Sequence, residues 1–283
     1  MHRFGGRWTS AKLSALGAYL IGFSTALKKQ SFHLHYIDAF AGSGTYVAGD
    51  EQQERRGSAQ IALDTPGFDQ YVFIEKGAKR CDALRAFVKK YPNASTWVFE
   101  GDANMHLQRI CESINWGRSR AVLFLDPYGM QVEWQTLETV AKTGAIDVWY
   151  LFPLSGVTRQ LTLNERNLDV DKQRSLDRVF GTEAWREAFY SKSPSDLFGD
   201  AQVERHADSK AIADWVTTRL TLLFPTVEGP ALLRKSSSGR PGQGPPLFAL
   251  YFLVSNPSPR ARELAGKMAR GVFKKLRRDG AIE

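Results

Sequence analysis

The sequence predicts an α/β fold: a seven-stranded, mostly parallel sheet wrapped by helices, with a helical insertion after the fifth strand. Three observations carry this. Five short and nearly unbroken apolar runs alternate with helical patterns through the first half of the chain, as expected of parallel strands covered on both faces. A charged, helix-patterned stretch follows Pro153. Two extended runs then bracket a Ser/Gly/Pro-rich link (SSSGRPGQGPP), which suits a hairpin with a long tip.

The elements follow in order. An amphipathic stretch at 10–29 precedes strands at 35–41 (HYIDAFA), 71–75 (YVFIE), 96–100 (TWVFE), 121–126 (AVLFLD) and 146–152 (IDVWYLF). Helical patterns at 79–91 and 104–115 supply crossovers. Between 154 and 227 the pattern is helical at 164–180, 183–190 and 208–224 without clear strands, and reads as an inserted subdomain or lid. The closing hairpin is expected at 231–235 and 247–255. A basic helix ends the chain, with Leu264, Met268, Val272 and Leu276 recurring every four residues. The expected organisation is therefore a core at 1–153, the insertion at 154–227, and the hairpin with the basic helix at 228–283. Trp97, Trp116, Trp134, Trp149, Trp185 and Trp215 fall in strand or helix patterns and read as core. His33 and His35 read as edge or packing residues, and Arg159 as a surface salt bridge or a phosphate contact.

Composition narrows the class. The chain has 283 residues, 43% of them hydrophobic, and 38 Lys+Arg against 30 Asp+Glu, which excludes disordered, collagenous and disulfide-stapled polypeptides. Cys81 and Cys111 lie in helical patterns and read as reduced thiols; no metal site is expected, and the compartment expected is the cytoplasm. The N-terminus (MHRFGGRW) lacks an apolar region with a cleavage site, so neither export nor membrane insertion is expected. The excess charge is C-terminal: Arg260, Arg262, Lys267, Arg270, Lys274, Lys275, Arg277 and Arg278 stand against Glu263. Such a stretch binds phosphates or forms a solvated face.

The chemistry gathers at the strand ends. The first strand runs into Asp38-Ala39-Phe40-Ala41-Gly42-Ser43-Gly44, where Gly42 and Gly44 let backbone amides approach a ligand. The spacing is neither G-x-G-x-x-G nor a P-loop, and an acid beside the loop repels pyrophosphate but orients a cationic or zwitterionic ligand such as S-adenosylmethionine. Glu75 ends the second strand, where a carboxylate accepts ribose hydroxyls. After the third strand come Asp102 and Ala103, an acceptor and a backbone donor suited to an adenine edge. Each acid alone reads as a helix N-cap or a solvated loop carboxylate; together they mark the ligand edge of the sheet. The fourth strand ends in Asp126-Pro127-Tyr128-Gly129. Asp126 and the Pro127 carbonyl are acceptors for the hydrogens of an exocyclic amine, and Tyr128 can stack on a planar base.

The D-x-F-A-G-S-G loop and the D-P-Y-G turn resemble the Rossmann-like class I S-adenosylmethionine-dependent methyltransferases, particularly those acting on amino groups of nucleic acids. Trp8-x-x-x-Lys12 resembles the W-x-x-x-K of adenine-N6 DNA methyltransferases, where the lysine faces the cofactor. Such enzymes usually carry a double proline before the aromatic residue, whereas this chain has one; tRNA guanine-N2 dimethyltransferases also show D-P-Y-G or D-P-F-G. Over most of the core the chain resembles the three-Cys-motif partner (TcmP) family, through Trp8 to Leu13, Tyr36 to Gly42, Phe73 to Lys76, Gly101 to Asn104, Leu125 to Gly129 and Tyr251 to Asn256. The resemblance implies a methyltransferase fold, S-adenosylmethionine as cofactor, Lys12, Asp38, Ala39, Phe40, Gly42, Gly44, Glu75, Lys76, Asp102 and Ala103 as cofactor residues, and a three-Cys-motif protein as partner. Asp126, Pro127 and Tyr128 are the expected catalytic residues and DNA or RNA the expected substrate. The alternatives are a cofactor-sensing partner subunit, and a methyltransferase acting on protein or a small molecule.

Overall fold

The structure, a computed structural model, describes residues 7–47, 54–192, 203–235 and 244–282. The Ser/Gly/Pro-rich link at 236–243 lies outside them, as does the Trp8 side chain. The chain opens with α1 (Arg7–Leu27) and β1 (His33–Asp38), then a small hairpin of β2 (Thr45–Val47) and β3 (Glu54–Arg56), and α2 (Ser58–Leu63). There follow β4 (Gln70–Glu75), α3 (Ala78–Val88), β5 (Thr96–Glu100), α4 (Ala103–Ser113), β6 (Ser119–Leu125), α5 (Trp134–Lys142) and β7 (Ile146–Phe152). The stretch after Pro153 holds α6 (Leu154–Gln160), α7 (Val170–Phe180), α8 (Trp185–Phe189), β8 (Tyr190–Lys192), β9 (Val203–Arg205) and α9 (Ser209–Thr221). The chain closes with β10 (Thr226–Arg234), β11 (Pro246–Val254) and α10 (Pro259–Arg278).

The main sheet has the order β10-β11-β7-β6-β1-β4-β5. Its five Rossmann-type strands are mutually parallel, and β11 is inserted antiparallel between β7 and β10. This is the class I methyltransferase arrangement, and it brings the carboxyl ends of β6, β1, β4 and β5 side by side at one edge. Each face of the sheet is covered. Residues of α1, α2, α3 and α10 such as Leu16, Ala62, Leu84 and Phe273 share a core with Phe73 and Phe252. On the other face, α4, α5 and the segment after Pro153 share one with Val148 and Tyr251.

Four expectations change. The segment after Pro153 is built into the second core, through Leu176, Phe180, Trp185 and Phe189, rather than laid over the sheet as a lid. It also contains a short hairpin, β8 with β9, too small to be legible from alternation. Trp97 is 52% exposed because β5 is an edge strand covered poorly on its outer side, while Trp116 and Trp215 are partly buried. On α10 the buried residues include Ala265, Ala269, Phe273 and Leu276; Leu264 is exposed. The contact stripe runs through 265, 269 and 273, one position on from the expected 264, 268 and 272, and shares Leu276 with it, while Met268 and Val272 pack at its border. Cys81 and Cys111 lie in helices as expected; both are buried, which pushes the Cys111 thiol up to about 12. His35 packs edge-on against Trp116 within the central strand β1. No helix among the described residues is long and apolar enough to cross a membrane.

Two polar contacts hold α1 to the sheet: Lys12 pairs with Asp126 at the carboxyl edge, and the Tyr19 hydroxyl donates to Asp147 of β7 at 2.6 Å. Burial pushes the Asp147 carboxyl up to about 7, against which the Tyr19 bond works. The folded chain therefore keeps this proton over a range in which the unfolded chain has released it. The stability so conferred is fully present below about pH 4 and is lost as pH rises to about 7. Asp147→Asn, which has no such proton to lose, should gain on the wild type by on the order of 2–4 kcal/mol between pH 4 and pH 8. Thermal melts at several pH values check this; parallel curves for the two proteins would refute it.

Candidate functional site

Four carboxylates close four neighbouring strands: Asp126 after β6, Asp38 on β1, Glu75 on β4 and Asp102 after β5. Like charges gathered at one edge are tolerated only if each is answered by donors.

Asp38 is fully buried. It accepts from the Phe40 amide at 3.2 Å, the Tyr36 hydroxyl at 3.2 Å and the Ser58 hydroxyl. Desolvation nevertheless raises its pKa to about 6, with the charge of Asp126 acting in the same direction. All its partners come from the protein, so its role is to fix the loop after β1 and not to line an open cleft.

Glu75 is 3% exposed and joins three segments. Its Oε2 accepts from the Gly42 amide at 3.0 Å; Oε1 accepts from the Gly77 amide at 2.7 Å and from Arg80 Nε and Nη2 at 2.9 and 2.7 Å. The amide can turn inward because Gly42 has φ +63°, in the left-handed region. Gly44, at φ +90°, also lies against Phe87 of α3.

Asp102 is the N-cap of α4, with Oδ1 accepting from the Asn104 amide at 3.0 Å. The capping reading of this acid is thus realised. Its other oxygen, Oδ2, faces Lys76 at 3.8 Å in an exposed pairing. Ala103 opens the helix, where first-turn amides lack helical partners.

Lys12, 7% exposed, is a buried lysine and not a surface one, and its ammonium meets Asp126 Oδ2. Among the described residues Asp126 Oδ1 and the Pro127 carbonyl accept no hydrogen bond. Tyr128 is 56% exposed, its amide donates to Gln131 Oε1 at 3.0 Å, and the Arg80 guanidinium stands 5.3 Å from its ring centre.

Ala39, Phe40, Glu75, Lys76, Asp102, Ala103 and Tyr128 line one cleft, together with Arg80, Gly101 and Gln131. Lys12, Asp38, Gly42, Gly44, Asp126 and Pro127 do not line it; they form the adjoining layer that fixes it. The free volume is about 30 Å³, room for a water and not for a nucleoside. Arg80 and Tyr128 are the rim side chains that narrow it, and both are exposed enough to move. In the Arg80–Glu75 pair the arginine is half exposed and the carboxylate buried. Sequence reasoning missed Arg80, Ser58 and Gln131. Position five after Glu75 on a new helix was the only signal for Arg80, and no signal tied Ser58 to Asp38.

No family model and no curated protein matches the sequence. Solved structures similar to the chain include protein LPL1258 of Legionella pneumophila, of the DUF519 family model, at 12% identity and TM-score 0.44, over 76% of this chain and 93% of that one. The N-terminal domain of EvdMO1 with SAH bound is 9% identical with TM-score 0.37, over 83% and 80% of the two chains. Spermidine synthase in complex with the transition-state analogue AdoDATO is 8% identical with TM-score 0.38, over 88% and 59%. At such values the residues of this chain alone carry the reading of its site.

The loop yields a paired test. A Cβ at Gly44 would stand 2.8 Å from Phe87, whereas one at Gly42 meets nothing within 4 Å, though both have positive φ. Gly42→Ala should cost about 1–2 kcal/mol and Gly44→Ala about 2–4 kcal/mol in urea unfolding. Equal losses would show that the Phe87 contact is relieved by movement.

Proposed function

We propose that the chain is an S-adenosylmethionine-dependent methyltransferase acting on an exocyclic amino group of a nucleic-acid base. One observation carries the reading: in a class I methyltransferase sheet, a cleft holding Glu75, Asp102 and Ala103 adjoins Asp126 and Pro127, whose free acceptors lie beside an exposed tyrosine. Glu75 would hold the ribose hydroxyls, Asp102 Oδ2 and the Ala103 amide the adenine edge, and the loop fixed by Asp38 the rest of the cofactor. The donor set fits the cofactor once Arg80 leaves Glu75, a movement that frees both a buried carboxylate and the cleft. When bound, the cofactor supplies a methyl group already activated on a sulfonium. The chain's part is then positioning. Lys12 fixes Asp126 through Oδ2, leaving Oδ1 and the Pro127 carbonyl to take the two amine hydrogens and aim the lone pair, and Tyr128 stacks on the base.

The basic helix supports nucleic acid as substrate. α10 starts at the amino edge, and Arg262 and Arg270 reach Thr226 and Glu228 along β10, so it runs toward the carboxyl edge. Its exposed Lys274 and Lys275 are carried toward that edge. Contacts of this kind supply affinity and salt dependence, not base preference. A second reading, a cofactor-sensing subunit partnered by a three-Cys-motif protein, is favoured by the narrow cleft, which a partner could open.

Calorimetry with S-adenosylmethionine tests the cofactor. Micromolar binding is expected, with a loss of at least tenfold in Glu75→Ala and a several-fold gain in Arg80→Ala, which empties the cleft. Absence of binding in both the wild type and Arg80→Ala would overturn the cofactor assignment. With labelled methyl donor and pooled nucleic acids, Asp126→Ala should abolish transfer while leaving cofactor affinity within about twofold; full transfer by this variant would remove Asp126 from the mechanism. Lys274→Glu with Lys275→Glu should lower nucleic-acid affinity at low salt and reduce the salt slope by about two. An unchanged slope would place the nucleic acid elsewhere.

A further inference from the structure

A second, roomier cavity lies away from this cleft, at the amino edge of the sheet. It has a volume of about 410 Å³, within the range of small-molecule sites, and sits between the end of α1, the starts of β6 and β7, and the first turns of α10. Phe23, Phe32, Leu264 and Met268 give it apolar walls. The exposed Leu264, which the buried stripe of α10 leaves out, is thereby accounted for as part of a wall.

Asp147 is its acidic group, and nothing in the proposed transfer uses it. It is 8% exposed. Oδ2 takes the Tyr19 hydroxyl, whereas Oδ1 has no hydrogen-bond partner among the described residues and is not sealed from the cavity. No cation among the described residues pairs with it. The one within Coulombic influence is Arg120, whose guanidinium is held back by the Trp116 and Ser119 carbonyls at 2.8 and 2.6 Å and lies 3.9 Å from the Phe32 ring centre. Arg260 also lines the cavity but is exposed at its mouth. A nearly buried carboxylate with one oxygen unanswered is costly, and the cost is relieved by protonation or by a cation brought from outside.

We propose that this cavity binds a small organic amine, its ammonium donating to Asp147 Oδ1 and its apolar body lying between Phe23, Phe32, Leu264 and Met268. An ammonium supplies the charge and the donor that the chain withholds, and the walls suit a hydrocarbon or aromatic body. An anion would meet Asp147 at the inner end, and a neutral apolar molecule would leave Oδ1 unanswered. The site is separate from the cofactor cleft and does not depend on the methyltransferase reading.

The test uses 2-phenylethylammonium, with 2-phenylethanol and phenylacetate as neutral and anionic counterparts, at pH 8, where Asp147 is ionised. Four methionines give four possible methyl signals in ¹³C-methyl spectra, and Met268 reports on the cavity while Met105 and Met130 report on the fold. The Met268 signal should shift and saturate with the amine at submillimolar Kd. The alcohol and the acid should bind at least tenfold more weakly. Asp147→Asn keeps an acceptor for Tyr19 and should weaken the amine at least tenfold with the Met105 and Met130 signals in place. Ala261→Trp, which fills the cavity from its lining, should abolish the shift. Equal affinity for amine and alcohol, undiminished binding by Asp147→Asn, or a Met268 signal that no amine moves at 10 mM would each overturn the proposal.

Discussion

Glu75 is the point on which the candidate site depends. One nearly buried carboxylate receives the loop after β1 through Gly42, the turn after β4 through Gly77, and α3 through Arg80. Because the backbone amides are fixed by the fold and the arginine is half exposed, the four hydrogen bonds differ in permanence. The amides hold the carboxylate in place, and the more exposed arginine covers its open side. The same contact that lets a charge persist at the edge of the sheet thus also closes the cleft.

The neighbouring acids meet the same demand by other means. Asp38 is satisfied wholly from within and becomes part of the scaffold of the loop; the cost is a proton held up to about pH 6. Asp102 spends one oxygen on a helix N-terminus and keeps the other exposed. Asp126 is answered by Lys12 of α1, so the helix preceding the first strand helps set the charge balance at the carboxyl edge as well as packing on the sheet. A row of similar residues at similar positions therefore separates into one acid satisfied from within, one held by backbone amides and an arginine, one capping acid and one paired with a buried lysine, according to the donors each finds.

At the opposite edge the fold leaves the reverse imbalance. Asp147 ends a hydrogen-bond pair with Tyr19, and the nearby arginine is engaged by carbonyls and a ring. That α1 touches both edges, with Lys12 at one and Tyr19 at the other, makes it the element most exposed to changes in either place. The proposed amine site and the proposed transfer site both touch this helix, at residues two turns apart.

Much of the architecture was determined by sequence. Continuous apolar runs placed all five parallel strands to within a few residues, and the acids ending them were legible because a parallel sheet puts every carboxyl end at one edge. Glycine at 42 and 44 was legible because no other residue readily takes those angles. What the tertiary structure decided was which of these residues meet. Asp38 turned inward because Tyr36, Ser58 and the Phe40 amide surround it, and no local pattern encodes Ser58 lying beside it. Lys12 found Asp126 across 114 positions of chain, and Arg80 crossed the cleft because a helix beginning at Ala78 points it back over Glu75. Trp97 stayed exposed because β5 became an edge, and α10 buried alanines because a close helix contact favours small residues. Local periodicity fixes where a side chain sits on its own element; the partner that gives it a charge state and a role is chosen by long-range packing, which the sequence carries only implicitly.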